Sequence, residues 1–136
     1  MTRKTNVVKV DKQKYKDYKV VADNFYNGAD VAYEYEYYNA AGVLFVHAAI
    51  AYADALTIKL KGIKCRGDDH QELTNLLTTV TGNLPENSSY INKLFKIIEH
   101  KNAVSYGGDV YSKKDIDQIQ KLTERFKTWV EKQLNR

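Results

Sequence analysis

The 136-residue chain contains a single cysteine, Cys65. One thiol can form neither an internal disulfide nor a thiolate zinc cluster, so the sequence points to a reducing compartment. Proline occurs once and glycine seven times. That little punctuation argues against many short strands joined by turns and favours long helices. The N-terminal stretch "MTRKTNVVKVDKQKYKDYK" has no apolar run of signal-peptide length. The greasiest stretch, "AAGVLFVHAAIAYA", is 14 residues long, short of a bilayer crossing and suited to a buried core helix. A cytoplasmic protein without membrane contact is therefore expected. No P-loop, dinucleotide fingerprint, HExxH or GxSxG pattern is present, and no cofactor is expected.

What is present is apolar and charged residues in globular proportion, 43% and 28%, in a length that suits one core. Tyrosine is abundant, with eleven copies. Its ring packs while its hydroxyl stays wet, which suits half-buried surfaces. The net charge of +4 is unevenly spread. Residues 1–19 carry seven Lys/Arg against two Asp, residues 20–58 carry five acids and no Lys or Arg, and "KLKGIKCR" at 59–66 carries four cations. Such basic zones attract phosphate. Lys59, Lys61, Lys64 and Arg66 are the phosphate-contact candidates, against the plainer reading of a solvated helix end whose cations complement the helix dipole.

Residues 1–13 are expected to be a loose basic lead-in and 14–136 a single helical domain. From about Lys14 to Tyr37, Tyr18, Val21, Ala22, Phe25, Ala29, Ala32, Tyr33 and Tyr37 recur at steps of three and four. Although "YEYEYY" alternates like a strand, the helical stripe runs through it. Residues 40–61 are apolar nearly all round and should form the central helix, ended by Gly62. In "DHQELTNLLTTVTG", Asp69 and Glu72 have capping-box spacing and Leu73, Leu76, Leu77 and Val80 form an apolar face. The next helix starts between Pro85 and Tyr90. Its stripe is Ile91, Leu94, Phe95, Ile98, Asn102 and Ser105. The last helix opens at Ser112, with Asp115 in its first turn, and Ile116, Ile119, Leu122, Phe126, Trp129, Val130 and Leu134 complete its apolar face. The sum is an all-α, antiparallel up-and-down four-helix bundle with one additional short helix.

The chemistry-bearing stretch is "EHKNAVSYGG", residues 99–108. On a helix Asn102 and Tyr106 share a face and Lys101 lies to one side. Helix termination explains Gly107 and Lys101. It does not explain Asn102, a poor helix former on an apolar stripe, which calls for a partner.

Together, "EYEYYNAAGVLFVHAAIAYADALTIKLKG", "DDHQELTNLL" and "LFKIIEHKNAVSYGG" ahead of a final amphipathic helix resemble HEPN domains. These are small bacterial and archaeal four-helix bundles often found beside nucleotidyltransferases, and the resemblance covers about residues 14–134. It implies a homodimer in which two motifs face one cleft, and for many members a metal-independent ribonuclease. The family's nuclease motif is Arg, a polar residue, three more residues, then His. The matching positions here are Lys101, Asn102 and Tyr106. Tyrosine, with an ordinary pKa of about 10, is a poor base near neutral pH where histidine serves, and lysine lacks the bidentate fork of arginine. The exchange argues against catalysis. It favours a module binding RNA, a nucleotide or a partner such as a nucleotidyltransferase through a polar cleft. The alternatives are a toxin-type endoribonuclease of the toxin–antitoxin kind using the same three residues, and a structural helical partner without ligand.

Further residues invite weighing. His100, beside Lys101, sits about 100° round the helix from it and is a poor replacement base. His47 and Asp54, seven apart on the central helix, are read as ligand-binding candidates, against a core histidine beside an unrelated acid. Asp68, Asp69, His70 and Glu72 have metal-ligating chemistry, but capping already explains Asp69 and Glu72, so no metal is expected. Tyr33, Tyr35, Tyr37 and Tyr38 suit base stacking or, more simply, packing against a helix or second subunit.

Overall fold

The computed structural model describes residues 6–67 and 70–136, with His70 described by its backbone alone. Helix α1 spans Tyr15–Glu34, α2 Tyr38–Lys61, α3 His70–Thr81, α4 Pro85–Glu99, α5 Lys101–Ser105 and α6 Lys113–Leu134. Two short strands, β1 (Val7–Lys9) and β2 (Ile63–Cys65), pair antiparallel with Val7 opposite Cys65, Val8 opposite Lys64 and Lys9 opposite Ile63. A 3-10 turn, Lys12–Lys14, leads into α1. The fold is the all-α bundle expected, with α3 as the short extra helix.

The central helix is α2. It packs against α1, α3, α4, α5 and α6. Its alanines 48, 49, 53 and 55 and the bulkier Phe45, Tyr52, Leu56 and Ile58 are all fully buried. By length and composition α2 meets the criterion for crossing a membrane, but 78% of its most apolar stretch is covered by the rest of the fold. Burial all round is what its unbroken apolar sequence reflects. Leu73 and Leu77 of α3, Leu94, Ile97 and Ile98 of α4, and Ile116, Ile119, Phe126 and Val130 of α6 close the core.

Between α1 and α6 the seam is polar. Tyr52 of α2, fully buried, donates from its hydroxyl to Asp23 Oδ1 at 2.5 Å. Lys19 bridges Asp23 at 2.8 Å and Glu131 at 3.1 Å. Burial works against ionisation of Asp23, but the hydrogen bonds from Lys19 and Tyr52 outweigh it and hold its pKa below the usual carboxylate value. Further along, Tyr33 donates to Asp117, which Lys113 also pairs at 3.3 Å.

Three boundaries depart from the sequence reading. First, α1 stops at Glu34 instead of running to Tyr37. Tyr37 N–H donates to the Ala32 carbonyl and Glu36 N–H to the Tyr33 carbonyl, both at 2.9 Å, and Glu36 takes φ 64°. This is a Schellman stop with glutamate in the left-handed position that glycine usually fills, so the sequence carries no glycine to announce it. Second, the lead-in is not loose from Asn6 onward. β1 and the 3-10 turn tie it to the end of α2, with Val10 N–H on the Gly62 carbonyl at 2.8 Å. Gly62 stands at φ 67°, and a methyl group there would lie 3.2 Å from the Val10 carbonyl oxygen. Third, α4 breaks at His100 and the chain resumes as the one-turn α5. The start of α4 places Pro85 at its first position, and Asn87, buried, donates to the Thr81 carbonyl at 3.0 Å instead of capping. The expected cap of α6 is present as a full capping box between Ser112 and Asp115. The Asp69 cap of α3 lies outside the described residues.

Candidate functional site

The break at His100 decides how the "KNAVSYGG" stretch is presented. An unbroken helix would carry Asn102 inward on the stripe of Ile91, Leu94 and Ile98. Instead Val104 takes the inward position and Asn102 is exposed. Val104 is seated against Gly42 of α2: a methyl group on Gly42 would fall 2.5 Å from Val104 Cγ2 and 3.2 Å from Ile116 Cδ1. The helix-interior glycine is the socket for α5. Asn102 needs no buried partner. Its carbonyl accepts the N–H groups of Tyr106 at 2.8 Å and Gly107 at 2.9 Å, closing the turn.

Tyr106 points to solvent and is 84% exposed. Lys101 is half-buried. His100 is committed elsewhere, its Nδ1 2.8 Å from the Tyr111 hydroxyl and its ring edge-on to the Tyr111 ring. The loop after α5 is held by Asn39 at the start of α2. Its Nδ2 donates to the Val104 carbonyl at 3.1 Å and the Asp109 carbonyl at 2.9 Å, and its Oδ1 accepts from Tyr111 N–H at 2.9 Å. Asn39 was invisible as a site residue in the sequence, where it reads as an ordinary helix-start residue. Beside it Glu36, Tyr37, Tyr38, Val110 and Tyr111 line an open groove of about 420 Å³. Exposed apolar side chains gather at this end: Val110 is 90% exposed, Tyr35 70% and Tyr37 67%. Tyr33 and Tyr38 instead pack edge to face on each other.

A match to the HEPN domain model covers residues 15–133. The chain belongs to the HEPN family. No curated protein and no solved structure matches it. Within this HEPN domain, Lys101 and Asn102 lie on α5 and Tyr106 is the residue that ends it, all three on the loop-bearing end of the bundle.

The remaining candidates fall into two groups that the fold does not join to this end. His47 is exposed, with its ring centroid 5.9 Å from that of Phe25, whereas Asp54 is only 8% exposed. The two do not form a shared polar cleft. Burial pushes the Asp54 pKa up to about 7, opposed by the attraction of Lys64. Lys59 is not a phosphate contact in waiting: its Nζ donates to the Leu134 carbonyl at the end of α6 and stands 5.3 Å from the Tyr15 ring centroid. Lys61 and Arg66 are exposed, and Lys64 Nζ donates to the Cys65 carbonyl at 3.0 Å. Asp68, Asp69 and the His70 side chain lie outside the described residues, while Glu72 accepts from Asn6 Nδ2 at 2.7 Å. Among the described residues no three His, Cys, Asp or Glu side chains stand together as a metal site would need.

Proposed function

We propose that this HEPN domain is a non-catalytic binding module that associates through the end carrying Lys101, Asn102 and Tyr106. One observation carries the reading. The large exposed side chains Tyr37 and Val110 line the groove at Asn39, and Tyr35 and Tyr106, also exposed, lie two and four residues from them in the chain. Exposed aromatic and aliphatic groups rimmed by charge mark protein-contact surfaces. The partner that fits best is a second copy, which brings two Lys101–Asn102–Tyr106 sets to one polar cleft; a nucleotidyltransferase is the other candidate. The cleft offers cations, amides and phenol rings, which hold a nucleotide or RNA phosphate. Tyr106 stands where the family's nucleases carry histidine, which supports binding without proton transfer.

Sedimentation velocity over a concentration series tests this. The wild type should sediment as a dimer, and the doubly substituted Tyr37→Asp/Val110→Asp protein as a folded monomer, since buried charges without partners oppose association. A wild type that stays monomeric at high concentration, or a dimer indifferent to both substitutions, would overturn the reading.

A further inference from the structure

The far end of the bundle is built differently. The β1–β2 pairing joins two basic segments that lie some fifty residues apart in the chain. Lys9 stands opposite Ile63, Arg66 N–H donates to the Asn6 carbonyl at 2.8 Å, and Lys12 covers Gly62, the residue after Lys61. Lys9, Lys12, Lys61 and Arg66 are all exposed and make no ion pair among the described residues. Among the described residues three acids stand near the strand pair, and Glu72 accepts from Asn6 Nδ2 at 2.7 Å. Asp11 accepts from Gln13 N–H at 2.9 Å, and Asp17 pairs with Lys14 at 3.4 Å. Beside the strand pair, Val10, Lys14, Asp17, Tyr18 and Val21 line a cavity of about 250 Å³. Val10 belongs to both features, since its N–H is bonded to the Gly62 carbonyl. Exposed cations next to a concavity that bears Val10, Tyr18 and Val21 are the combination that holds a single strand: charge tracks the backbone and a ring receives a base.

We infer that this β1–β2 end is a binding surface for single-stranded nucleic acid, with phosphates on Lys12, Lys61 and Arg66 and a base against Tyr18; strand alternation puts Arg66 on the ladder face of Val10 and Lys9 on the other. The surface is separate from the Lys101–Tyr106 end. The two lie at opposite termini of α2, whose 24 residues span about 36 Å at 1.5 Å per residue. An acidic protein would use the cations but not the adjoining concavity, and a lipid surface would need a flatter apolar face.

The test is fluorescence anisotropy of a labelled oligouridine RNA of about 16 nucleotides, titrated with the full chain between about 50 and 200 mM salt. Wild type should bind, with affinity falling steeply as salt rises. Lys12→Glu/Lys61→Glu should lose at least about tenfold and flatten the salt dependence. Tyr18→Ala should lose about tenfold, while Tyr18→Phe keeps the ring and should bind as wild type. Lys101→Ala should also bind as wild type, with circular dichroism confirming that each variant is folded. No binding at the lowest salt, binding indifferent to the double reversal, or loss confined to Lys101→Ala would each overturn the inference. Because these variants leave the association end intact, sedimentation separates failure of this site from failure of the dimer.

Discussion

Asp54 shows how a single residue can bear a cost that the fold imposes. It sits on the core helix, 8% exposed, and among the described residues no hydrogen bond reaches its carboxylate. With a folded-state pKa of about 7, above that of the unfolded chain, the folded protein retains a proton that the unfolded chain releases. Its contribution is therefore fully favourable below the ordinary carboxylate pKa of about 4 and is lost as pH rises through 7. Replacement by the neutral isostere removes the penalty. Asp54→Asn should match wild type in urea unfolding near about pH 4 and exceed it near about pH 8, by at most about 4 kcal/mol. An equal difference at both pH values would contradict this account. Residue identity at the motif was legible in the sequence, but orientation was not. Asn102 reads as an inward residue on the stripe of Ile91, Leu94 and Ile98, and it is exposed because the helix breaks at His100, where no glycine or proline marks the break.

At the scale of elements, the 3.6-residue spacing located α2 and α6 well, since long apolar stripes record burial directly. The β1–β2 pair escaped because strands of three residues carry no readable period. The glutamate stop after α1 escaped because Glu36 takes the place usually marked by glycine. Gly42, deep in α2, looked like one more small residue of a greasy helix, yet it seats α5. Gly42→Ala would gain helix propensity worth about 1 kcal/mol, but the new methyl meets Val104 at 2.5 Å. Overpacking of this kind costs typically 1–3 kcal/mol. The variant should therefore melt lower than wild type, and amide exchange in residues 101–111 should rise more than in α6. A Tm at or above wild type would show that α5 moves aside freely.

The whole molecule has two unlike poles on one helical frame. The pole at the α1–α2 turn and the 106–112 loop carries exposed tyrosines and valine on the same end as Lys101 and Asn102. The pole at the β1–β2 pair carries the cations that the sequence placed in two separate runs. Bundle architecture and family membership were legible from the ordered stripes and the "LFKIIEHKNAVSYGG" stretch. The poles were not, because their composition depends on which loops meet in space. The central claim is the proposal that this HEPN domain binds without cutting, and it rests on reading Lys101 and Tyr106 as the counterparts of the arginine and histidine of the family's nuclease motif. Incubation of an end-labelled mixed RNA with purified protein in EDTA, beside Lys101→Ala and Tyr106→Ala, tests it most directly. The account predicts intact RNA in all three reactions, with all three proteins folded. Cleavage by the wild type that both substitutions abolish would contradict it and make Lys101 and Tyr106 a working nuclease pair.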